Sequence, residues 1–247
     1  MSVMDHFTES GKSSDEIVLN FDKGNKLYVS ESLLRYASPV FETMFEQKFK
    51  ESETREIEMN EEDYNDFFEL LLNLHPGKQK PVDEQNVLAL VSLAHKYQMD
   101  LLLNRCKEKM LDMLHRLEKE KNKESPSERC RAVGNCFEIL IKADNTKLED
   151  LSTAAIQVIA SFGYTTIIGS PPPVFGQVGT PLRSFSQVAS TGTGETNGAT
   201  AYKEDKQRDV AATIDDPIKQ CKELFENIPD DLKVRVLSQR LAFCDKQ

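Results

Sequence analysis

The spacing of the apolar residues changes once along this chain, and that change limits the fold more than any other sequence feature. In the stretch DEIVLNF, Ile17, Leu19 and Phe21 alternate with other residues, which is the period of a β-strand with one buried face. The turn residues Asp22-Lys23-Gly24-Asn25 come next, followed by the short apolar run KLYV. Two strand-like runs around such a turn predict a β-hairpin.

Helical spacing replaces this alternation after residue 30. Ser38-Pro39 predicts a helix start, because serine caps helix N-termini and proline suits the first helical position. A third short strand is predicted at REIEM, and further helices are predicted to begin at the caps Asn60 and Asp83. The successive apolar faces comprise Phe41, Met44, Phe45 and Phe49; Phe67, Leu70, Leu71 and Leu74; Val87, Leu88, Val91 and Ala94; and Leu102, Cys106, Met110 and Leu114. A strand hairpin, helices, one strand and a run of helices form an α+β pattern.

Three further segments follow a charged connector at residues 118–127. Two short helices split by Asp144-Asn145-Thr146 are predicted within residues 126–162, as a helical extension of the first domain. The stretch from Gly163 to Tyr202 holds seven of the 11 glycines, four of the 10 prolines and only two charged residues, so we expect a disordered linker over residues 163–208. Residues 209–247 regain amphipathic spacing and predict a helix pair around Ile228-Pro229.

Charge and cysteine content narrow the classes of function. Lys and Arg number 31 against 41 Asp and Glu, which gives a net charge of -10, the wrong sign for binding phosphate backbones or anionic lipid. The five cysteines, at positions 106, 130, 136, 221 and 244, lack CxxC spacing and predict reduced thiols. A zinc site using Cys130, Cys136 and a distant histidine stays open as an alternative. We expect no cofactor, and no nucleic-acid or membrane partner.

The N-terminus, MSVMDHFTESGKSSDE, lacks a basic region followed by an apolar one, as a secretory signal would require. No apolar stretch approaches the roughly 20 residues that span a bilayer. We therefore expect the protein in the cytosol or the nucleus. The sequence also has no glycine-rich phosphate loop, HExxH motif or nucleophile elbow, so it gives no support to an enzyme.

Three stretches in order resemble a BTB/POZ domain over residues 14–112: DEIVLNFDKGNKLYVSESLLRYASPVFETMFEQKFKES, EIEMNEEDYNDFFELLLNLHPG and LVSLAHKYQMDLLLNRCKEKML. The most specific elements are Asp15 before the first strand, Leu34 four residues before Ser38-Pro39-Val40-Phe41, and Ala94-His95-Lys96-Tyr97 before a cysteine-bearing helix. The resemblance implies a small β-sheet flanked by an α-helical cluster. It also implies a non-catalytic interaction domain that usually forms a homodimer, here through the helix with Leu33, Leu34 and Tyr36.

Many proteins of this family bridge a substrate to the BTB-specific cullin of ubiquitin ligases. Such adaptors carry a hydrophobic-X-Glu word after the SPxF helix, and Phe49-Lys50-Glu51 occupies that place here. The resemblance therefore implies cullin binding through these three residues, enlarged by the helical extension at 126–162. A second interpretation of Phe49 is that it is the last core residue of the helix bearing Phe41 and Phe45.

This chain departs from the family at Ser30-Glu31, where members often have His-Lys or His-Arg. Asp15 and Glu31 would repel each other unless one turns to solvent or takes up a proton. The charged pocket of transcriptional-repressor members is therefore not expected, and zinc fingers, kelch repeats and a MATH-like domain are not evident. The sequence predicts a non-catalytic, dimeric adaptor that recruits a protein substrate to a cullin-based ubiquitin ligase. The alternative is an oligomerisation scaffold that does not bind a cullin.

Overall fold

A three-stranded sheet lies within a mainly helical body. The computed structural model describes residues 5–11, 13–46, 54–168 and 217–244. The strands are β1 (Glu16–Asn20), β2 (Lys26–Ser30) and β3 (Glu56–Glu58), in the order β2-β1-β3. Strands β1 and β2 form the predicted hairpin, whereas β3 pairs with β1 in parallel. The α+β class is confirmed.

The helices are α1 (Asp5–Thr8), α2 (Glu31–Ala37), α3 (Pro39–Met44), α4 (Tyr64–Leu74), α5 (Val87–Lys96), α6 (Asp100–Lys119), α7 (Pro126–Asn145), α8 (Glu149–Ser161), α9 (Tyr164–Ile168), α10 (Pro217–Asn227) and α11 (Asp230–Cys244). Single 3-10 turns occur at Asp22–Gly24 and Glu120–Asn122.

Serine caps set the starts of the helices that border the sheet. The Ser30 hydroxyl accepts a hydrogen bond from the Leu33 N–H, and the Ser38 hydroxyl accepts one from the Phe41 N–H, each at 3.2 Å. The predicted start of α3 at Ser38-Pro39 is thus confirmed. These bonds satisfy N–H groups that have no partner within the helix.

The predicted cap at Asn60 is wrong. Residue 60 lies in a turn in which the Glu62 N–H donates to the Met59 carbonyl at 3.0 Å. Helix α4 begins four residues later, where the Asp63 carboxylate accepts hydrogen bonds from the Asn65 and Asp66 N–H groups at 2.8 and 3.1 Å. Residues 60–63 contain several residues that could cap a helix. The Met59 N–H still bonds to the Asn20 carbonyl of β1 at 2.7 Å, so the helix starts only after this pairing ends, at Asp63.

The core beneath the sheet is aromatic. The Phe41 ring stacks on Tyr97 with centroids 4.6 Å apart and meets Phe67 edge-on at 6.3 Å. Phe21 from the end of β1 contacts the same Phe67 ring. Offset-stacked and edge-to-face pairs of this kind add to the stability from burial alone. They fix α3 and α5 relative to the sheet.

The aromatic core continues without a break into the C-terminal helices. Helix α7 packs on α6 and α8 and is also covered by α10, while α11 packs on α8. Helices α7 and α8 are 20 and 13 residues long, which is longer than predicted. The C-terminal pair α10 and α11 divides at Ile228-Pro229, the position that the spacing indicated.

The predicted linker begins at Gly163, but Tyr164–Ile168 is a helix in which Ile167 is fully buried. The folded body therefore extends to Ile168, because Ile167 adds one more apolar contact to the core. The rest of that prediction, residues 169–208, lies outside the described residues. The division of the chain at positions 112, 126 and 163 stays a prediction.

Candidate interaction surface

A groove of about 430 Å³ lies between α3, β3 and α5. Val40, Met44 and the Tyr97 ring supply apolar lining, and Glu58, Glu61 and Glu62 supply carboxylates. In the sequence, residues 47–53 lie between α3 and β3, both of which line this groove. An apolar groove with charged groups at its rim can take up a side chain of a protein partner.

A charged network links the residues along one wall of this groove. The Lys96 ammonium lies 2.7 Å from Glu62 and 3.0 Å from Glu61, and the Tyr97 hydroxyl donates to Glu62 at 2.9 Å. The hydrogen bond to Glu62 raises the pKa of Lys96. Burial, followed by the nearby Glu62 charge, raises the pKa of Tyr97 far above its ordinary value, so the phenol stays a hydrogen-bond donor.

Phe49, Lys50 and Glu51, the predicted cullin-binding residues, lie outside the described residues. Whether Phe49 ends the core stripe or meets a partner therefore stays open. The earlier members of the stripe are settled, since Phe41 and Phe45 are buried. The apolar stripe predicted by helical spacing is thus confirmed from Phe41 to Phe45, the residue that follows α3.

The predicted repulsion between Asp15 and Glu31 is resolved by separate partners. Asp15 accepts hydrogen bonds from the hydroxyls of Ser30 and Ser32, while the Glu31 carboxylate faces Arg35 and Arg55. Partial burial alone would raise the pKa of Asp15, but these hydrogen bonds and the Arg55 charge bring it below the ordinary value. Asp15 therefore stays ionised without repelling Glu31, because each carboxylate has its own partners.

The three predicted dimer residues differ in their exposure. Leu34 is fully buried in the core of its own chain, Leu33 is half-buried, and Tyr36 is 95% exposed. Of the three, only Tyr36 therefore offers most of its side chain to a second molecule. The assignment of these residues to a dimer interface stays a prediction.

Tyr36 borders a larger cavity of about 840 Å³ between α2, the start of α6 and the loop that follows α4. Leu101 lines the same cavity and is 80% exposed. The sequence predictions missed Leu101 because it lies outside the buried stripe of α6. The sequence could have revealed Leu101, because it is an apolar residue on the face of α6 where helical spacing predicts polar residues.

Arg35 and Arg55 were also missed. Single-sequence spacing carries no information on which charges meet when the partners come from different elements. Local pairs are visible, as with Glu31 and Arg35 four residues apart on α2. The link from Glu31 to Arg55 appears only in the folded chain.

The described part of the chain contains no group of three or more His, Cys, Asp or Glu residues that could hold a metal ion. Cys130 and Cys136 lie in α7 near Cys221 of α10, and all three are buried. Burial raises the pKa of Cys221 to about 12 and that of Cys136 higher still, which favours the protonated thiol over the thiolate that binds metals. None of the described helices combines the length and apolar character needed to cross a membrane.

The sequence of this chain is similar to a known family model and to two proteins of one organism. Residues 4–114 match the family model for the BTB/POZ domain. Over 81 residues the chain is 35% identical to BTB and MATH domain-containing protein 38 of Caenorhabditis elegans, a match that covers 33% of this chain and 21% of that protein. Over 157 residues it is 27% identical to BTB and MATH domain-containing protein 15 of the same organism, covering 64% of this chain and 50% of that protein. The matches thus span half or less of these relatives.

Proposed function

We propose that this chain, in which residues 4–114 are a BTB/POZ domain, is a non-catalytic adaptor that pairs with a second copy and brings a protein substrate to a cullin-based ubiquitin ligase. BTB domains are typically interaction modules without enzymatic activity. The proposal places the protein in the cytosol or the nucleus.

The observation that carries the cullin part of the proposal is the groove between α3, β3 and α5. In the sequence, Phe49-Lys50-Glu51 lies between α3 and β3, and both of these elements line the groove. An apolar groove with a charged rim suits a hot spot for a protein partner. Helices α7 and α8 continue the body beyond the matched domain, and in this proposal they enlarge the contact with the cullin.

The exposed aromatic on α2 supports pairing. Tyr36 is almost wholly exposed beside a cavity that Leu101 also lines, and two large exposed apolar residues at one cavity form a patch that association would remove from water. In a dimer, each ligase arm would hold a substrate close to the transferred ubiquitin. The gain comes from effective concentration, and the chain performs no chemistry.

Cullin binding is tested by co-purification of the BTB-specific cullin with the wild-type chain and with Phe49→Asp plus Glu51→Lys. We expect the wild type to retain the cullin and the double variant to lose it. A matched control is Val234→Asp plus Asp231→Lys, which makes the same kinds of change on exposed residues of α11 and should retain the cullin. Absence of cullin from the wild type, under conditions where an established adaptor binds it, would contradict the proposal.

The second candidate is a scaffold that pairs through α2 without any cullin. The exposure of Tyr36 and Leu101 favours it independently of residues 47–53. Light scattering on the purified chain measures pairing directly. A dimer that never binds the cullin would leave the scaffold as the function, and a monomer would exclude it.

A further inference from the structure

The groove between α3, β3 and α5 carries an accessible apolar strip. Ile57 and Met59 line it and are almost fully buried, whereas Val40 and Met44 are only half-buried. Val40 and Met44 are four residues apart in α3, so they are neighbours on one face of that helix. The accessible parts of these two side chains therefore form a strip on which one apolar side chain of a partner can pack.

The charges along this groove are unequal in sign. Among the residues that the structure describes, its lining holds the carboxylates of Glu58, Glu61 and Glu62 and one ammonium, that of Lys96. The net charge of -10 for the whole chain does not by itself produce this excess, because the larger cavity beside α2 is balanced. The described lining of that cavity has as many basic as acidic residues: Lys80, Arg105 and Lys109, with Asp100, Glu108 and Asp112. The negative excess is thus a local property of the groove.

Two of the three carboxylates differ in how firmly they are held. Glu62 lies 2.7 Å from the Lys96 ammonium and accepts a hydrogen bond from the Tyr97 hydroxyl at 2.9 Å, and its side chain is 11% exposed. Glu61 lies 3.0 Å from the same ammonium, but its side chain is 85% exposed. An ion pair as exposed as that of Glu61 contributes little to stability. Glu61 can therefore turn to a partner while Lys96 keeps Glu62.

Glu58 supplies a second accessible carboxylate. It is exposed at the end of β3 and accepts a hydrogen bond from the Asn20 side-chain amide at 3.0 Å. A carboxylate has more acceptor positions than one hydrogen bond uses, so this bond orients Glu58 and still leaves it able to accept from a partner. Glu58 and Glu61 line the same groove as Val40 and Met44. A cationic group bound by either carboxylate would thus lie beside the apolar strip.

We infer that this groove takes a protein segment in which a large apolar side chain adjoins basic residues. The apolar side chain packs on Val40 and Met44, and the carboxylates of Glu58 and Glu61 receive the basic groups. Ion pairs at an exposed rim speed the encounter and exclude acidic segments more than they add affinity. The inference rests on the proposed function, which assigns the groove to the cullin, and it adds the chemistry that the docking segment of the cullin must have.

The test measures the binding of the N-terminal domain of the BTB-specific cullin to the full chain at low and at high salt. Glu58→Gln plus Glu61→Gln keeps the size of both side chains and removes their charges. We expect this variant to associate about three- to tenfold more slowly at low salt, and like the wild type at about 1 M salt, where charges are screened within roughly 3 Å. Glu223→Gln plus Glu226→Gln removes the same charge from exposed pairs on α10 and should associate like the wild type at both salt concentrations.

Met44→Gln tests the apolar strip. Because this variant loses apolar contact with the partner, we expect it to bind about fivefold more weakly at both salt concentrations, mainly through faster dissociation. Its melting temperature checks that the fold is kept. An association rate for the Glu58 and Glu61 variant equal to that of the α10 control would overturn the inference. A slower rate that high salt does not restore would also overturn it.

A wild type that does not bind the cullin would refute the adaptor proposal, and a second probe then decides the inference. This probe is a short peptide with one leucine between two pairs of arginines, followed through the methyl resonance of Met44 in nuclear magnetic resonance spectra. The matched peptide has glutamates in place of the arginines. The arginine peptide should shift the resonance in the wild type, and the glutamate peptide should not. Equal shifts with both peptides, or a shift with neither, would overturn the inference.

Discussion

Helices α2 and α7 both carry apolar residues on more than one face, but α7 leaves none of its large ones exposed, whereas α2 leaves one almost wholly exposed. Helix α7 lies between α8 and α10, and its Phe137 is fully buried against Phe225 of α10. Helix α2 buries Leu34 and leaves Tyr36 exposed. Apolar surface that the chain covers itself contributes to folding, whereas apolar surface left at a cavity is available for a partner. Variants in the two helices should therefore change different quantities.

The largest effect is expected from Phe137→Ala. The side chain has no exposed surface, so its removal leaves a cavity and should lower the free energy of unfolding by about 3 to 5 kcal/mol. Urea unfolding measures this. Phe225→Ala should cost less because Phe225 is half-buried. Equal costs would show that α10 is held more firmly than the burial of Phe225 indicates.

Tyr36→Ala should act on association instead of folding. Loss of an exposed aromatic hot spot should weaken self-association by about 1 to 2 kcal/mol, which is roughly five- to thirtyfold, while the melting temperature changes little. Sedimentation equilibrium measures the dimer constant. Tyr36→Phe keeps the ring and should pair nearly as well. A Tyr36→Ala chain that pairs like the wild type would remove α2 from the interface.

Gly134→Ala tests how tightly α10 packs on α7, through its effect on the stability of the fold. Glycine within a helix costs roughly 0.5 to 1 kcal/mol relative to alanine, and a Cβ at this position would lie 3.7 Å from a Leu224 methyl group, an ordinary contact. We expect thermal unfolding to show a gain of about that size. Gly24→Ala is the matched control, because its φ of 78° is left-handed, and it should destabilise the protein. A loss at position 134 would mean that α10 approaches α7 more tightly.

The smallest effect concerns pH and Asp15 at the start of α2. Its folded pKa is below the ordinary value of 3.8, so the ionised carboxylate stabilises the folded chain above that value. This contribution is lost as the pH falls through the folded pKa. The difference in unfolding free energy between wild type and Asp15→Asn should therefore be constant at neutral pH and vanish under acid conditions. A difference that grows on acidification would contradict the lowered pKa.

Spacing and caps predicted the local parts of this structure. The alternation at Ile17 and Leu19 gave the hairpin, and Ser38-Pro39 gave the start of α3, because each of these signals acts within a few residues. The cap at Asn60 failed where a local signal competed with sheet pairing through Met59. Predictions from local signals therefore fail where a contact between distant parts of the chain decides the structure.

The candidate site depends on contacts that no local pattern encodes. Glu31 and Arg55 are 24 residues apart, and Tyr36 and Leu101 meet at one cavity only after α2 and α6 have packed. The sequence Phe49-Lys50-Glu51 could be located by resemblance, whereas the pairing of Glu31 with Arg55 could not. The sequence indicated a repulsion between Glu31 and Asp15 because the partners of Glu31 could not be identified. Arg55 is far along the chain, and the direction in which Arg35 points from α2 was unknown.

The thiol of Cys221 has a consequence for the topology of the C-terminal half. It lies 3.5 Å from the Thr166 carbonyl, so α10 begins beside the end of α9. Helices α9 and α10 also pack on each other, and both pack on α7. The C-terminal pair is therefore built into the same apolar core as the rest of the described chain, and it is not a separate unit.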